Sequence, residues 1–198
     1  GRRNVTRHAN IFAVLFSIAD AAKQEKILAN VLENDAIPAI TTPYFNFFEL
    51  DVLCQMGRLD VVLDKLRSYW GDMLDLGAVT FWEEYDPSIP KEEQYDMYGD
   101  HFGKSLCHAW AASPIYFLAR YFVGLALVNK EGTAYVLRPQ LQYFADLDCT
   151  LPVGDHGTVR LVWDGEYIEV TADADGGILE LGEERISLVR GEVRRVKI

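Results

Sequence analysis

The chain has 198 residues, enough to bury a substantial hydrophobic core in one large domain or in a medium domain with a smaller appendage. Its formal net charge of −11 and pI near 4.8 would repel phosphate backbones, so no nucleic-acid partner is predicted. The longest apolar runs, residues 11–18 and 116–128, fall short of the roughly 20 residues that span a bilayer, which predicts a soluble protein with no membrane partner.

Helical periodicity comes in pairs along the first half of the chain. Residues 10–22 are apolar nearly all round and predict a helix buried on most sides, and residues 23–34 carry one apolar stripe and predict its partner. After a loop with two prolines, residues 44–56, ended by Gly57, and residues 59–74 repeat the arrangement. Such hairpins, with apolar faces left uncovered, are typical of half of a closed helical ring.

A long acidic loop, residues 75–103, interrupts the helices before apolar periodicity returns at residues 104–127. Loops longer than about 15 residues are uncommon in compact domains unless they carry function. Ser113 and Pro114 indicate either a kink in a helix or the start of a new one. We predict a short helix that ends near Ala112 and a new helix that starts at Ser113, because proline fits the first turn of a helix.

Beyond residue 130 the period of the apolar residues changes from helical to two. Residues 158–163 and 166–171 alternate around Asp164 and Gly165, which predicts a β-hairpin. Three further short alternating segments, residues 178–181, 185–189 and 193–197, are separated by glycines. The last third of the chain is therefore predicted to be an antiparallel β-sandwich.

The stretch GAVTFWEEYD, residues 77–86, places two adjacent carboxylates, Glu83 and Glu84, beside the rings of Trp82 and Tyr85. Glycoside hydrolysis needs one carboxylic acid and one carboxylate. Because adjacent loop residues usually diverge, at most one of the two glutamates is catalytic and its partner lies elsewhere. A solvated acidic loop is the commoner role of such residues, since Asp and Glu are mostly exposed.

A second stretch, SLCHAWAASP, residues 105–114, is expected to complete the same pocket. There His108 and Trp110 are predicted to lie one helical turn from Ser105 and Cys107. His108 either orients a carboxylate or binds a sugar hydroxyl, or it is a structural group on an apolar helix.

Five aromatic residues are candidates for stacking on the apolar faces of sugar rings: Trp82, Trp110, Tyr44, Phe47 and Tyr85. For any single aromatic residue, ordinary core packing is the commoner role. The cysteines at positions 54, 107 and 149 are too widely spaced for a disulfide framework and are predicted to be small buried hydrophobic residues. The histidines other than His108 show no metal-ligand spacing, so no metal site is predicted.

Several stretches together resemble the C-terminal part of bacterial α-L-rhamnosidases. They are YWGDMLDLGAVTFWEEYDP, HFGKSLCHAWAASPIYFLARYFVGL, HANIFAVLF, TTPYFNFFELDVL and LRPQLQYFADLDCTLPVGDHGTVRLVW. In that family a GATT-x-WE motif precedes a helix that carries an S-x-x-H-A/G segment. Here Val79 stands where the family usually has threonine, which bears on the substrate more than on the type of reaction.

The resemblance implies an α+β fragment in which residues 1–130 are the C-terminal half of an (α/α)6 barrel and residues 131–198 are a small β-sandwich domain. It also implies a hydrolase that cleaves terminal α-L-rhamnosides with inversion. Glu83 matches the general base of the family, and Trp82, Tyr44, His108, Glu84 and Trp110 are assigned to the substrate subsite. No segment matches the general acid of the family, so this fragment alone is expected to be inactive. No cofactor is implied.

A second interpretation keeps the aromatic platform without chemistry, as a non-catalytic carbohydrate-binding or scaffolding module. The partners expected under the hydrolase interpretation are a rhamnose-containing glycan or glycoside and the N-terminal part of a longer parent chain. A homodimer through the apolar helices near residues 10–20 is a further alternative. The sequence leaves the compartment of the parent protein open, with a periplasmic or extracellular location as the candidate.

Overall fold

The computed structural model describes residues 4–198, so residues 1–3 of the predicted first domain lie outside the described residues. The chain forms two compact units, Gly1–Pro114 and Ile115–Ile198. The division predicted between residues 130 and 131, which would separate a barrel half from a β-sandwich domain, stays a prediction. Within residues 4–198, none of the helices has the length and apolar character required to cross a bilayer.

The first unit is helical, and its helices match the predicted hairpins closely. The α-helices are α1 (Arg7–Leu15), α2 (Ala21–Ile27), α3 (Pro43–Gln55), α4 (Leu59–Lys65) and α5 (Gly71–Asp75). Wider π-helical turns extend α2 over Leu28–Leu32 and join α4 to α5 over Leu66–Trp70. The predicted starts and stops agree with local chemistry, because Pro43 is the first residue of α3 and Gly57 follows its end with φ of 74°.

The helix predicted over residues 10–22 is wrong at its C-terminal end. α1 ends at Leu15, because Ser17 adopts a left-handed conformation with φ of 55°, and α2 then begins after Asp20. The carboxylate of Asp20 caps α2 by accepting a 3.0 Å hydrogen bond from the Lys23 amide. The expected burial on most sides is also wrong, since Phe16 and Ile18 are exposed.

α1 packs against α3 through both apolar and charged side chains. Ile11, Leu50 and Leu53 are fully buried between these helices and their neighbours. Arg7 and Glu49 form a buried ion pair, and Arg7 also donates a 2.6 Å hydrogen bond to the Leu32 carbonyl. The guanidinium group therefore ties α1 to both α3 and the end of the helix that precedes the proline-containing loop.

The second unit begins at Ile115 and carries the β-structure. Helix α6 (Ser113–Phe117) begins at the predicted serine and proline and continues as a π-helical turn, Leu118–Phe122. The strands are β1 (Ala126–Leu127), β2 (Tyr135–Leu137), β3 (Leu147–Pro152), β4 (Thr158–Trp163), β5 (Tyr167–Ala172), β6 (Gly177–Leu181), β7 (Glu184–Leu188) and β8 (Val193–Lys197).

Two four-stranded sheets, ordered β1-β2-β6-β7 and β3-β4-β5-β8, share one core. Leu137 and Leu179 of the first sheet meet Leu161 and Val170 of the second in this core, which is the packing of a sandwich. The predicted hairpin around Asp164 is confirmed as the antiparallel pair β4–β5.

One strand pair departs from the predicted antiparallel sandwich. β2 and β6 are parallel, with Tyr135 opposite Gly177. A Cβ atom at Gly177 would lie 2.4 Å from the Tyr135 ring, so any side chain at this crossing would require that buried ring to move. Parallel partners need a long connection, and the β3–β5 strands supply it here.

Candidate functional site

Hydrogen bonds join the two motif segments, residues 80–83 and 105–108, side by side in the first unit. The His108 amide donates to the Phe81 carbonyl at 2.8 Å, and the Glu83 amide donates to the Ser105 carbonyl at 2.9 Å. The Thr80 hydroxyl also donates to the Leu106 carbonyl. The two stretches that the sequence singled out are therefore in direct contact.

The local conformation of the second stretch differs from the predicted helical turn. His108 is extended, with φ of −120° and ψ of 114°, and only Ala109–Ala111 form a short 3-10 helix. The indole of Trp70 donates a 2.9 Å hydrogen bond to the Ala111 carbonyl and so fixes this turn against the helical layer. The predicted helix that ends near Ala112 is thus reduced to one turn.

Glu83 is held at the junction of the two segments. One of its carboxylate oxygens, Oε2, accepts a 3.1 Å hydrogen bond from the Ser105 amide and lies 3.8 Å from Nδ1 of His108. The Glu83 side chain is 12% exposed and that of His108 is 25% exposed. The carboxylate is therefore positioned by the backbone and still partly open to solvent.

An aromatic row begins at His108 and runs along the surface. The ring of His108 lies 4.1 Å from that of Trp110, and Trp110 lies 5.4 Å from Tyr44 of α3. Trp110 is 46% exposed and Tyr44 is 44% exposed, so both offer ring surface to a ligand. The structure therefore brings together Glu83, His108, Trp110 and Tyr44.

Trp82 does not join this exposed row. Its side chain is only 3% exposed, and its ring packs edge-on against Tyr95 at a centroid distance of 5.5 Å. The expectation that Trp82 stacks on a sugar is therefore corrected to core packing, because a buried ring has no free face. Hydrophobic burial of the large indole anchors the motif loop instead.

Glu84 points to a different partner from Glu83, as expected for adjacent loop residues. Its Oε1 atom accepts a 3.0 Å hydrogen bond from the Thr41 hydroxyl, and the following amide of Tyr85 donates to the Thr41 carbonyl at 3.2 Å. Glu84 therefore connects the motif loop to the segment that precedes α3.

Next to this connection is a cavity of about 600 Å³, which Thr41, Tyr69, Asp72, Tyr85 and Asp86 help to line. The Tyr85 hydroxyl donates a 3.0 Å hydrogen bond to Asp72. Burial of the hydroxyl and, to a lesser extent, this hydrogen bond raise the pKa of Tyr85 to about 12. Glu83, His108 and Trp110 do not line the cavity, so it is separate from the aromatic row.

The remainder of the long loop has its own short hairpin. Met97 and Asp100 form an isolated bridge, and Tyr98 and Gly99 at its tip have φ of 55° and 82°. The tip is exposed, whereas Gln94 and Lys104 at the base of the loop are buried. Lys104 is a charged residue of this region that the sequence patterns did not single out, because one lysine in HFGKS carries no spacing signal.

The three cysteines differ in burial. Cys54 is buried and Cys149 is half-buried, but Cys107 is exposed, which corrects its predicted burial. It lies in a loop between Ser105 and His108 rather than on a packed helix face. In the part of the chain that the structure describes, no group of three or more His, Cys, Asp or Glu residues is arranged to hold a metal ion.

The described fold is similar to that of a solved enzyme, the GH78 family rhamnosidase of Bacillus sp. GL1. The TM-score is 0.70 at 21% sequence identity, and the likeness covers 91% of this chain and 19% of that chain. No family model and no curated protein sequence matches this sequence. The chain therefore adopts the α+β fold of part of that rhamnosidase and spans about a fifth of its length.

Proposed function

We propose that this chain is part of a glycoside hydrolase related to the α-L-rhamnosidases. In this proposal the first unit belongs to the C-terminal half of an (α/α)6 barrel, and the sandwich is the β domain that follows it. The observation that carries the proposal is the pairing of the two motif segments, which holds the Glu83 carboxylate beside His108 and the exposed rings. The likeness in fold to a GH78 rhamnosidase supports it.

Glu83 is proposed as the general base of an inverting reaction. In such a reaction a carboxylate removes a proton from water while that water attacks the anomeric carbon, and a separate acid protonates the leaving oxygen. Glu83 suits the first role because the Ser105 amide fixes one carboxylate oxygen and the side chain remains partly exposed to water. His108 lies close enough to orient that carboxylate or a sugar hydroxyl.

The general acid is proposed to come from the earlier half of the barrel, in a longer protein that contains this chain. Inversion would place its carboxyl group about 6.5 to 9.5 Å from that of Glu83, with a water molecule between them. The 198-residue chain by itself would then bind the sugar without cleaving the glycosidic bond.

The substrate in this proposal is a terminal α-L-rhamnoside bound against Trp110 and Tyr44. Deoxy sugars such as rhamnose present an apolar face with a methyl group, which suits contact with exposed aromatic rings. The Glu84 carboxylate acts on this subsite only indirectly, because its hydrogen bond to Thr41 holds the motif loop against the segment just before α3, the helix that carries Tyr44.

The test is hydrolysis of an aryl α-L-rhamnoside by the proposed longer protein that contains this chain, here called the full-length protein, and by its Glu83→Gln variant. We expect the substitution to lower kcat by at least about 100-fold, because it removes the proton acceptor. The matched control is Glu92→Gln, an exposed glutamate of the same loop, which should keep the parental rate. Near-normal turnover by Glu83→Gln would refute the assignment of the base.

The alternative of a non-catalytic carbohydrate-binding module is favoured by one observation, the exposure of Trp110 and Tyr44. The two proposals differ in the full-length protein, where a binding module would bind rhamnosides without any turnover. Turnover by the 198-residue chain alone would contradict both, since it would require an acid within this chain.

A further inference from the structure

Lys104 is buried at the base of the motif loop without a hydrogen-bonding partner for its ammonium group. The residue is 5% exposed, and among the described residues its Nζ atom has no acceptor within hydrogen-bonding distance. Transferring an ammonium group out of water is costly unless opposite charge compensates for it. A lysine in this position therefore requires an electrostatic explanation.

The backbone that places Lys104 also places Glu83. The Lys104 amide donates a 3.2 Å hydrogen bond to the Tyr95 carbonyl, and the next residue, Ser105, is bonded to Glu83 through both its amide and its carbonyl. Before it, a Cβ atom at Gly103 would lie 2.2 Å from the Met97 carbonyl oxygen, so the chain turns too tightly there for any other residue. Lys104 is thus fixed from both sides.

Four carboxylates act electrostatically on this ammonium group, although none of them accepts a hydrogen bond from it among the described residues. Desolvation lowers the pKa of Lys104, while the charges of Glu84, Asp86, Glu83 and Asp96 act in the opposite direction. Asp96 also contacts the His101 ring, with 2.6 Å between its Oδ1 and Nδ1 of the histidine, whereas the other three carboxylates belong to the motif stretch itself. One buried cation, adjacent in the chain to the serine that is hydrogen-bonded to Glu83, is therefore influenced by three acidic residues within four positions of sequence.

We infer that Lys104 is a positioning residue of the Glu83 site, whose buried ammonium offsets the clustered negative charge of Glu83, Glu84 and Asp86. Without a cation, these carboxylates would repel one another, and protonation or displacement of the loop would relieve that repulsion. The inference rests on the proposed function only in naming Glu83 as the base. The charge balance itself can be measured without any activity.

The direct test is an NMR titration of the Lys104 ammonium in the 198-residue chain labelled with ¹⁵N-lysine. Because the carboxylates favour the charged amine, Glu84→Gln and Asp86→Asn should each lower the Lys104 titration midpoint by at least about half a pH unit. Glu92→Gln, on the exposed 3-10 helix of the same loop, should leave the midpoint unchanged. The inference would be overturned by a wild-type midpoint near the ordinary value of 10.5 that neither Glu84→Gln nor Asp86→Asn changes.

A second measurement separates positioning from simple packing in the full-length protein. Lys104→Met keeps most of the buried apolar stem but removes the charge, and Lys104→Arg keeps the charge. We expect Lys104→Met to lower kcat for an aryl rhamnoside at least about tenfold and to move the acid limb of the pH profile, with partial rescue by Lys104→Arg.

Equal losses in both Lys104 variants, without a change in the pH profile, would assign a packing role and overturn the inference. If the parental protein shows no turnover at all, the proposed function fails, while the titration of Lys104 still decides the charge balance. The two failures are therefore distinguishable.

Discussion

Arg7 of α1 and Glu49 of α3 form an ion pair with 2.6 Å between Nη1 and Oε1, and both side chains are almost completely buried. Lys65 of α4 reaches the same Glu49 oxygen, so one carboxylate joins three helices. The second oxygen of Glu49 has no hydrogen-bond partner within the described part of the chain. The first unit thus depends on charge compensation at the centre of its helical layer.

Breaking this pair should destabilise the first unit strongly. Arg7→Met is expected to lower the free energy of unfolding by about 3 to 5 kcal/mol, because it leaves a buried carboxylate with only Lys65 as its counter-ion. The control is Lys23→Met, which removes an exposed ion pair with Asp20 and should change stability by less than about 1 kcal/mol. Urea unfolding followed by tryptophan fluorescence measures both, and similar small effects would contradict the prediction.

Alanine substitutions of Trp82 and Trp110 should have different effects on stability and on ligand binding. Trp82→Ala is expected to cost about 3 to 5 kcal/mol of stability, because it empties a buried position beside Tyr95. Trp110→Ala should leave stability within about 1 kcal/mol but weaken rhamnoside binding about tenfold, since its exposed ring contacts the ligand in our proposal. Calorimetric titration and thermal unfolding of both variants test this, and the reverse pattern would contradict the assigned roles.

Ionisation of Tyr85 should lower the stability of the folded chain at alkaline pH. In the folded chain its pKa is raised from 10.0 to about 12, so between these values the folded state keeps a proton that the unfolded state has lost. The contribution is fully present below pH 10 and is lost as pH rises through about 12. Stability of Tyr85→Phe should therefore fall less across this window than that of the parental chain. Exposed Tyr98→Phe serves as the control, and urea midpoints measured at both ends of the window decide.

The exposed end of α1 should promote self-association of the isolated chain. Phe16 is stacked on Phe12 at 5.8 Å but is 70% exposed, and Ile18 beside it is also exposed. Large exposed apolar groups of this kind favour contacts between proteins. We expect the 198-residue chain to form dimers at micromolar concentrations and Phe16→Glu to be monomeric. Light scattering measures the mass, with exposed Leu74→Glu as the control, and a monomeric parental chain would contradict the prediction.

Local sequence signals predicted most of the secondary structure well. The hairpin around Asp164 and Gly165 was readable because the turn residues and the alternating strands agree in register, and Pro43 and Gly57 mark the limits of α3. The early end of α1 was not readable, because Ser17 is an ordinary helix residue whose left-handed conformation depends on its surroundings.

Long-range features were harder to predict, because they too depend on residues that are distant in the sequence. The parallel pairing of β2 with β6 joins strands about 40 residues apart, and no local pattern specifies it. Within the candidate site, the resemblance singled out two stretches that backbone hydrogen bonds join. It gave no indication that Trp82 is buried or that Lys104 lies among the acidic residues, because burial is decided by packing of the whole unit.

The hydrogen bonds between residues 80–83 and 105–108 join the two ends of the long loop that connects these segments. Since these bonds fix the ends of the loop, the exposed tip at Tyr98 and Gly99 can vary without moving Glu83. A fluorescent reporter or affinity tag inserted at this tip would therefore leave the Glu83 carboxylate undisturbed.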